Sequence, residues 1–115
     1  MADLAELART HLAAALADEH GRSAELLLRD GPLRQTIIAL RSGASLSEHN
    51  SPAAASIQLL QGRVRITGQE VAEVAAGRVE ALTHDRHAVL ALEDSAFLLT
   101  TVTSIEPTGG PERAR

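Results

Sequence analysis

A chain of 115 residues, 44% hydrophobic and 23% charged, fits one globular domain able to bury roughly 65% of its unfolded surface. A formal net charge of −4 and a single aromatic residue, Phe97, exclude the basic footprint and stacking platforms of nucleic-acid binders. Cysteine is absent, which excludes disulfides, thiolate nucleophiles and Cys-based zinc sites and leaves histidine and carboxylates as the metal ligands to weigh. No apolar run approaches the ~20 residues of a membrane span, and the first residues lack the basic and apolar regions of a secretory signal. A cytoplasmic protein is the expectation. All eleven basic residues are arginine, which reads as GC-rich codon usage in a bacterial source.

Residues 3 to 20 read as one amphipathic helix. Asp3 and Glu6 form a capping-box pattern, and Leu4, Ala8, Leu12 and Leu16, with Leu7 beside them, make an apolar stripe. Gly21 stands where a left-handed C′ residue would end it. The polar face carries Glu6, Asp18 and Glu19 against Arg9 alone, so anionic lipid would repel it and packing on the protein is the better reading. His11 and His20 read as ordinary exposed residues.

After Gly21 the helical period disappears. Short apolar runs follow: AELLLR from 24, RQTIIALR from 34, SIQLLQ before Gly62, RVRIT before Gly68 and EVAEVA before Gly77. Then come RVEALT, HAVLALE and AFLLTTV, with Asp85 and Glu93-Asp94-Ser95 at the joints. In RVRIT, Val64 and Ile66 face one way, Arg63 and Arg65 the other. Evenly spaced short strands of this kind predict an antiparallel sandwich or barrel. Glu93-Asp94 reads as a solvated turn, Glu70 and Glu73 as a solvent face, and Arg63 and Arg65 as surface rather than an anion clamp. The organisation is an N-terminal helix over 1–22, a β-barrel over 23–104 and a tail over 105–115. Three consecutive leucines, Leu26 to Leu28, would give the first strand apolar side chains on both faces, which predicts a homodimer unless the helix covers them.

The glycine spacing and strand rhythm of residues 33 to 103 resemble the small single-domain cupins, double-stranded β-helix (jelly-roll) barrels. Gly43, His49 and Gly62 fall on the first glycine, first histidine and last glycine of that family's first motif. Ser51 occupies the second histidine position and Ala55 the glutamate position. Gly77 matches the opening glycine of the second motif, and His87 lies within one residue of its histidine. Leu82, Thr83, His84 and Asp85 replace that motif's proline turn. The resemblance implies a mainly β fold with a pocket in the barrel. It also implies a three-His-one-carboxylate metal site, of which only His49 and His87 remain, with His84 as a possible addition. Glu48 adjoins His49, and neighbours on a strand point to opposite faces.

Three functions are compatible with this pattern. The first is a non-catalytic sensor or carrier that binds a small molecule through His49, Ser51, His87 and His84, with no metal expected. The second is a metal-dependent dioxygenase, isomerase or decarboxylase that holds a divalent transition metal with His49 and His87. The third is an interaction module whose barrel is filled by side chains. Whether the chain is an enzyme stays open at this point.

Overall fold

Asp3 starts the helix as expected. Its carboxylate accepts the Glu6 N–H at 3.2 Å, and α1 runs Leu4–Ala17. The structure, a computed structural model, describes residues 1–47, 54–68, 71–82 and 88–103. The helix ends three residues earlier than the pattern suggests, because Asp18 and not Gly21 stops it. Asp18 sits in extended backbone (φ −79, ψ 142) and its carboxylate accepts the His20 N–H at 2.9 Å and the Arg22 N–H at 3.1 Å. Gly21 takes its positive φ of +73 in the next corner, where its carbonyl receives the Arg41 N–H at 2.8 Å.

The Arg22 N–H first, then the His20 N–H, hold the Asp18 carboxyl below the ordinary aspartate value. A depressed folded-state pKa contributes stability that is complete above the unfolded value. That contribution is lost as pH falls through the folded one. The Tm difference between wild type and Asp18→Ala should therefore be constant from neutral pH down to about pH 4, then shrink below it. A difference unchanged at pH 2.5 would remove the carboxylate from this corner's energetics.

Among the described residues nine strands follow: β1 (Arg22–Asp30), β2 (Leu33–Leu40), β3 (Ser45–Ser47), β4 (Ala54–Gln61), β5 (Arg63–Thr67), β6 (Ala72–Ala75), β7 (Val79–Leu82), β8 (Ala88–Ala91) and β9 (Ser95–Val102). They form two sheets, β1-β2-β9-β4-β7 and β3-β8-β5-β6, antiparallel throughout. Strand β3 has no counterpart among the apolar runs, since Ser45 and Ser47 flank one leucine. Alternation decides the interior: Ile38 and Leu40, Ile57 and Leu59, Val64 and Ile66, Val89 and Ala91 are all buried around Phe97. Arg63 and Arg65 face outward as expected and pair with Glu73, with Arg63 also 3.7 Å from Glu93. Val71, placed beside Val74 in the pattern, is exposed, while Val74 is buried.

The helix lies across the opposite face of the larger sheet. Ala8, Leu12 and Ala15 are buried there against Ile37, Ala39 and Ala96. Leu16 leaves the expected stripe and is 50% exposed, because a 3.6-residue period brings Ala15 inward instead. His11 also differs from expectation: its side chain is only 12% exposed. Its Nε2 lies 2.9 Å from Glu25 Oε1 and its Nδ1 2.7 Å from Ser23 Oγ. A carboxylate only accepts, so the ring donates from Nε2 to Glu25, and in the neutral ring Nδ1 accepts the Ser23 hydroxyl. His11 ties α1 to β1.

The three leucines resolve through a register shift in β1. Leu26 pairs with Thr36 and Leu28 with Gln35, so Leu27 is the extra residue of a β-bulge. Leu27 packs under the helix. Leu26 and Leu28 remain 50% and 42% exposed on the free edge of the sheet.

The barrel has two unlike ends. At one, four tight turns interlock around residues 41–44, 62, 76–78 and 92–94. The Gly43 N–H donates to the Ala91 carbonyl at 2.8 Å, and the Gly77 N–H to that of Leu59 at 2.8 Å. Buried Ser95 accepts the Arg63 N–H at 3.0 Å and lies 2.8 Å from the Glu93 carbonyl, to which it can donate. The other end carries the β1–β2 turn and the connections that follow β3, β5, β7 and β9.

Candidate functional site

The connections that carry the chemistry-bearing residues join strands at the end opposite the interlocked turns. The connection carrying His49 and Ser51 leaves Ser47 in the smaller sheet and returns at Ala54 in the larger one. The connection carrying His84 and His87 leaves Leu82 in the larger sheet and returns at Ala88 in the smaller one. Their flanks are hydrogen-bonded neighbours: Ser47 pairs with Ala88, and Ala55 with Leu82. His49, Ser51, His84 and His87 themselves lie outside the described residues. Glu48, Glu70 and Asp85 lie outside them too, as does the tail from residue 104.

The described wall of this mouth is set by register. Arg34 pairs with Thr101, Thr101 with Ala55 and Ala55 with Leu82, so these four side chains form one row across β2, β9, β4 and β7. The row shares the parity of buried Ile38, Phe97 and Ile57 and so lies on the face turned toward the second sheet. On β1, Arg29 stands directly opposite Arg34. Below the row, Leu99 and Leu46 pack on the core and Ile57, Val89 and Ile66 close the interior. The lower barrel is therefore filled by side chains.

Ala55 offers no donor atom at the position where the cupin pattern has its carboxylate. The row around it holds a guanidinium, a hydroxyl and a leucine. On this face of the larger sheet the one described carboxylate is Glu80, exposed on β7 opposite Ile57. Among the described residues no three His, Asp or Glu side chains cluster as a metal site would require. The described wall does not fit a three-His-one-carboxylate centre.

Sequence reasoning missed Arg34. Its signal was faint: an arginine at the start of RQTIIALR on the same parity as Ile38 and Leu40. His11 was missed as well, although it falls on the helix face between Ala8 and Leu12.

No family model matches the sequence, and no curated protein matches it significantly. Solved structures do. A conserved protein of unknown function from Streptococcus pyogenes is similar at 27% identity and a TM-score of 0.69, over 77% of this chain and 80% of that one. A cupin superfamily protein from Desulfitobacterium hafniense is similar at 19% identity and a TM-score of 0.67, over 72% and 78%. Salicylate 1,2-dioxygenase from Pseudaminobacter salicylatoxidans aligns at 13% identity and a TM-score of 0.71, over 84% of this chain but 33% of that protein. No helix among the described residues is long and apolar enough to cross a membrane. The fold is that of the small cupins, a double-stranded β-helix barrel preceded by one α-helix.

Proposed function

We propose that the protein binds a small molecule at the end of its barrel opposite the interlocked turns, without transforming it, as a carrier or sensor. The observation that carries this reading is the convergence of the two histidine-bearing connections on a mouth whose carboxylate position is Ala55. Val89, two positions after His87, points into the core, and Ala55, six after His49, lies on the interior row. We assign ligand contact to His49, Ser51 and His87, with His84 beside them in sequence. A mostly apolar rim with a few convergent polar groups suits small-molecule capture.

A saturating ligand stabilises a protein by mass action, about 2.7 kcal/mol at a hundredfold excess over Kd. A thermal-shift screen of metabolite-sized compounds should thus yield binders that raise Tm by several degrees, and the rise should vanish in His49→Ala and His87→Ala. Elemental analysis of tag-free protein should show transition metal well below one ion per chain, since two imidazoles leave most of a divalent ion's coordination unmet. Stoichiometric metal lost in either variant would overturn the reading in favour of a metal-dependent enzyme using His49, His87 and His84. That alternative is supported by the likeness in fold to salicylate 1,2-dioxygenase.

We also propose a homodimer through the free edge of β1, whose exposed leucines the helix leaves uncovered.

A further inference from the structure

We infer that the ligand carries a carboxylate and that Arg34 holds it at the barrel mouth. The inference rests on the binding function proposed above and names the ligand's chemical class. Arg34 is partly buried, and its Nη1 is already committed: it donates to the carbonyls of Gly31 and Leu33, the latter at 2.9 Å. Those two bonds use both Nη1 hydrogens and anchor the guanidinium to the β1–β2 turn. The Nε–H and Nη2–H edge remains, the side of the fork that matches two carboxylate oxygens. Among the described residues no acceptor meets that edge, and no carboxylate lies within ion-pair distance of Arg34.

The surroundings favour an anion for a second reason. Arg29 stands directly across the strand pair from Arg34. Like charges opposite one another in a sheet are destabilising, and a negative ligand group between them relieves the repulsion. Ala55, two strands from Arg34 and so about 10 Å away, contributes no competing negative charge. Thr101 lies between them and offers a hydroxyl to the same group. Among the described residues, the row from Arg34 to Leu82 thus carries a positive charge and no carboxylate. Leu82 and Leu99 line the apolar side, which suits the hydrocarbon part of an organic acid better than a phosphate.

The test uses matched pairs that differ in charge and hardly in shape: acetate with acetamide, benzoate with benzamide, succinate with succinamide, plus inorganic phosphate. Binding is followed by methyl NMR of Leu82, Leu99 and Val89 in wild type, Arg34→Gln, Arg34→Lys and Thr101→Val. At least one carboxylate should shift these methyls saturably while its amide does not. Its affinity should fall at least tenfold in Arg34→Gln, less in Arg34→Lys, and should weaken with added salt. Unliganded thermal unfolding of each variant separates lost binding from lost folding. Acids and amides acting alike would overturn the role of Arg34 while leaving small-molecule binding in place. Phosphate acting where no carboxylate does, no response to any acid, or unchanged acid affinity in a folded Arg34→Gln protein would each overturn it too.

Discussion

Gly62→Ala should destabilise the protein by about 3–5 kcal/mol and lower Tm by more than about 10 °C. Gly62 sits at φ +84, where any side chain costs about 1–2 kcal/mol. The larger share comes from space. A Cβ there would collide with the Asp94 carbonyl oxygen and with Ser95 Oγ. Neither neighbour is free to give way, because Ser95 is buried and bonded to Arg63, and Asp94 accepts the Ser42 N–H at 2.8 Å. Accommodating one methyl means prising apart the interlocked turns of the closed end. Gly77 supplies the control: its φ of +87 is nearly the same, yet a Cβ there would meet nothing within 4 Å. Gly77→Ala should cost only the backbone share. Equal losses for the two variants in chemical denaturation would show that contact at the closed end contributes nothing beyond the dihedral angle.

A second large effect is expected in mass. Light scattering at micromolar concentration should give twice the 12.1 kDa of one chain, and the double variant Leu26→Glu with Leu28→Glu should return it to one. The bulge at Leu27 brings this about by sending Leu26 to one face of the edge strand and Leu28 to the other, with both left about half-exposed. Arg22 at one end of β1 and Asp30 at the other give the strand opposite charge at its two tips. A second copy lying antiparallel thus sets cation beside carboxylate. Leu27→Ala should act differently, weakening helix packing by roughly 2 kcal/mol or more while the dimer mass persists. A wild-type mass near 12.1 kDa would end the proposal outright.

The sequence showed its strands where both faces were constrained. RVRIT became β5 residue for residue, because alternating valine, isoleucine and arginine admit one register on a half-buried surface. Gly62 was legible as a motif glycine, although its reason, the crowding against Ser95, comes from a strand far along the chain. Local chemistry misled at the end of α1, where Asp18 and Gly21 both offer a stop and the nearer one wins through its two side-chain hydrogen bonds. The bulge was invisible, since a run of leucines reads the same with or without an extra residue. The site was half legible. The histidines at family spacing lie outside the described residues, and the row from Arg34 to Ala55 exists only because β9 inserts between β2 and β4, three strands that no window of sequence contains together.

That insertion also constrains how the chain is made. Strand β9 is synthesised after every other described strand, yet it occupies the centre of the larger sheet. Until the ribosome has released residues through Val102, the β1–β2 hairpin and the β4–β7 pair have no common partner. Phe97 is likewise missing from the hydrophobic interior. Native structure thus forms late and in one step, through contacts distant in sequence, and such topologies fold slowly. Nascent chains stalled before Ser95 should expose the edges of β2 and β4 together and depend on chaperones. Chains extended only some eight residues further have the complete sheet available to them.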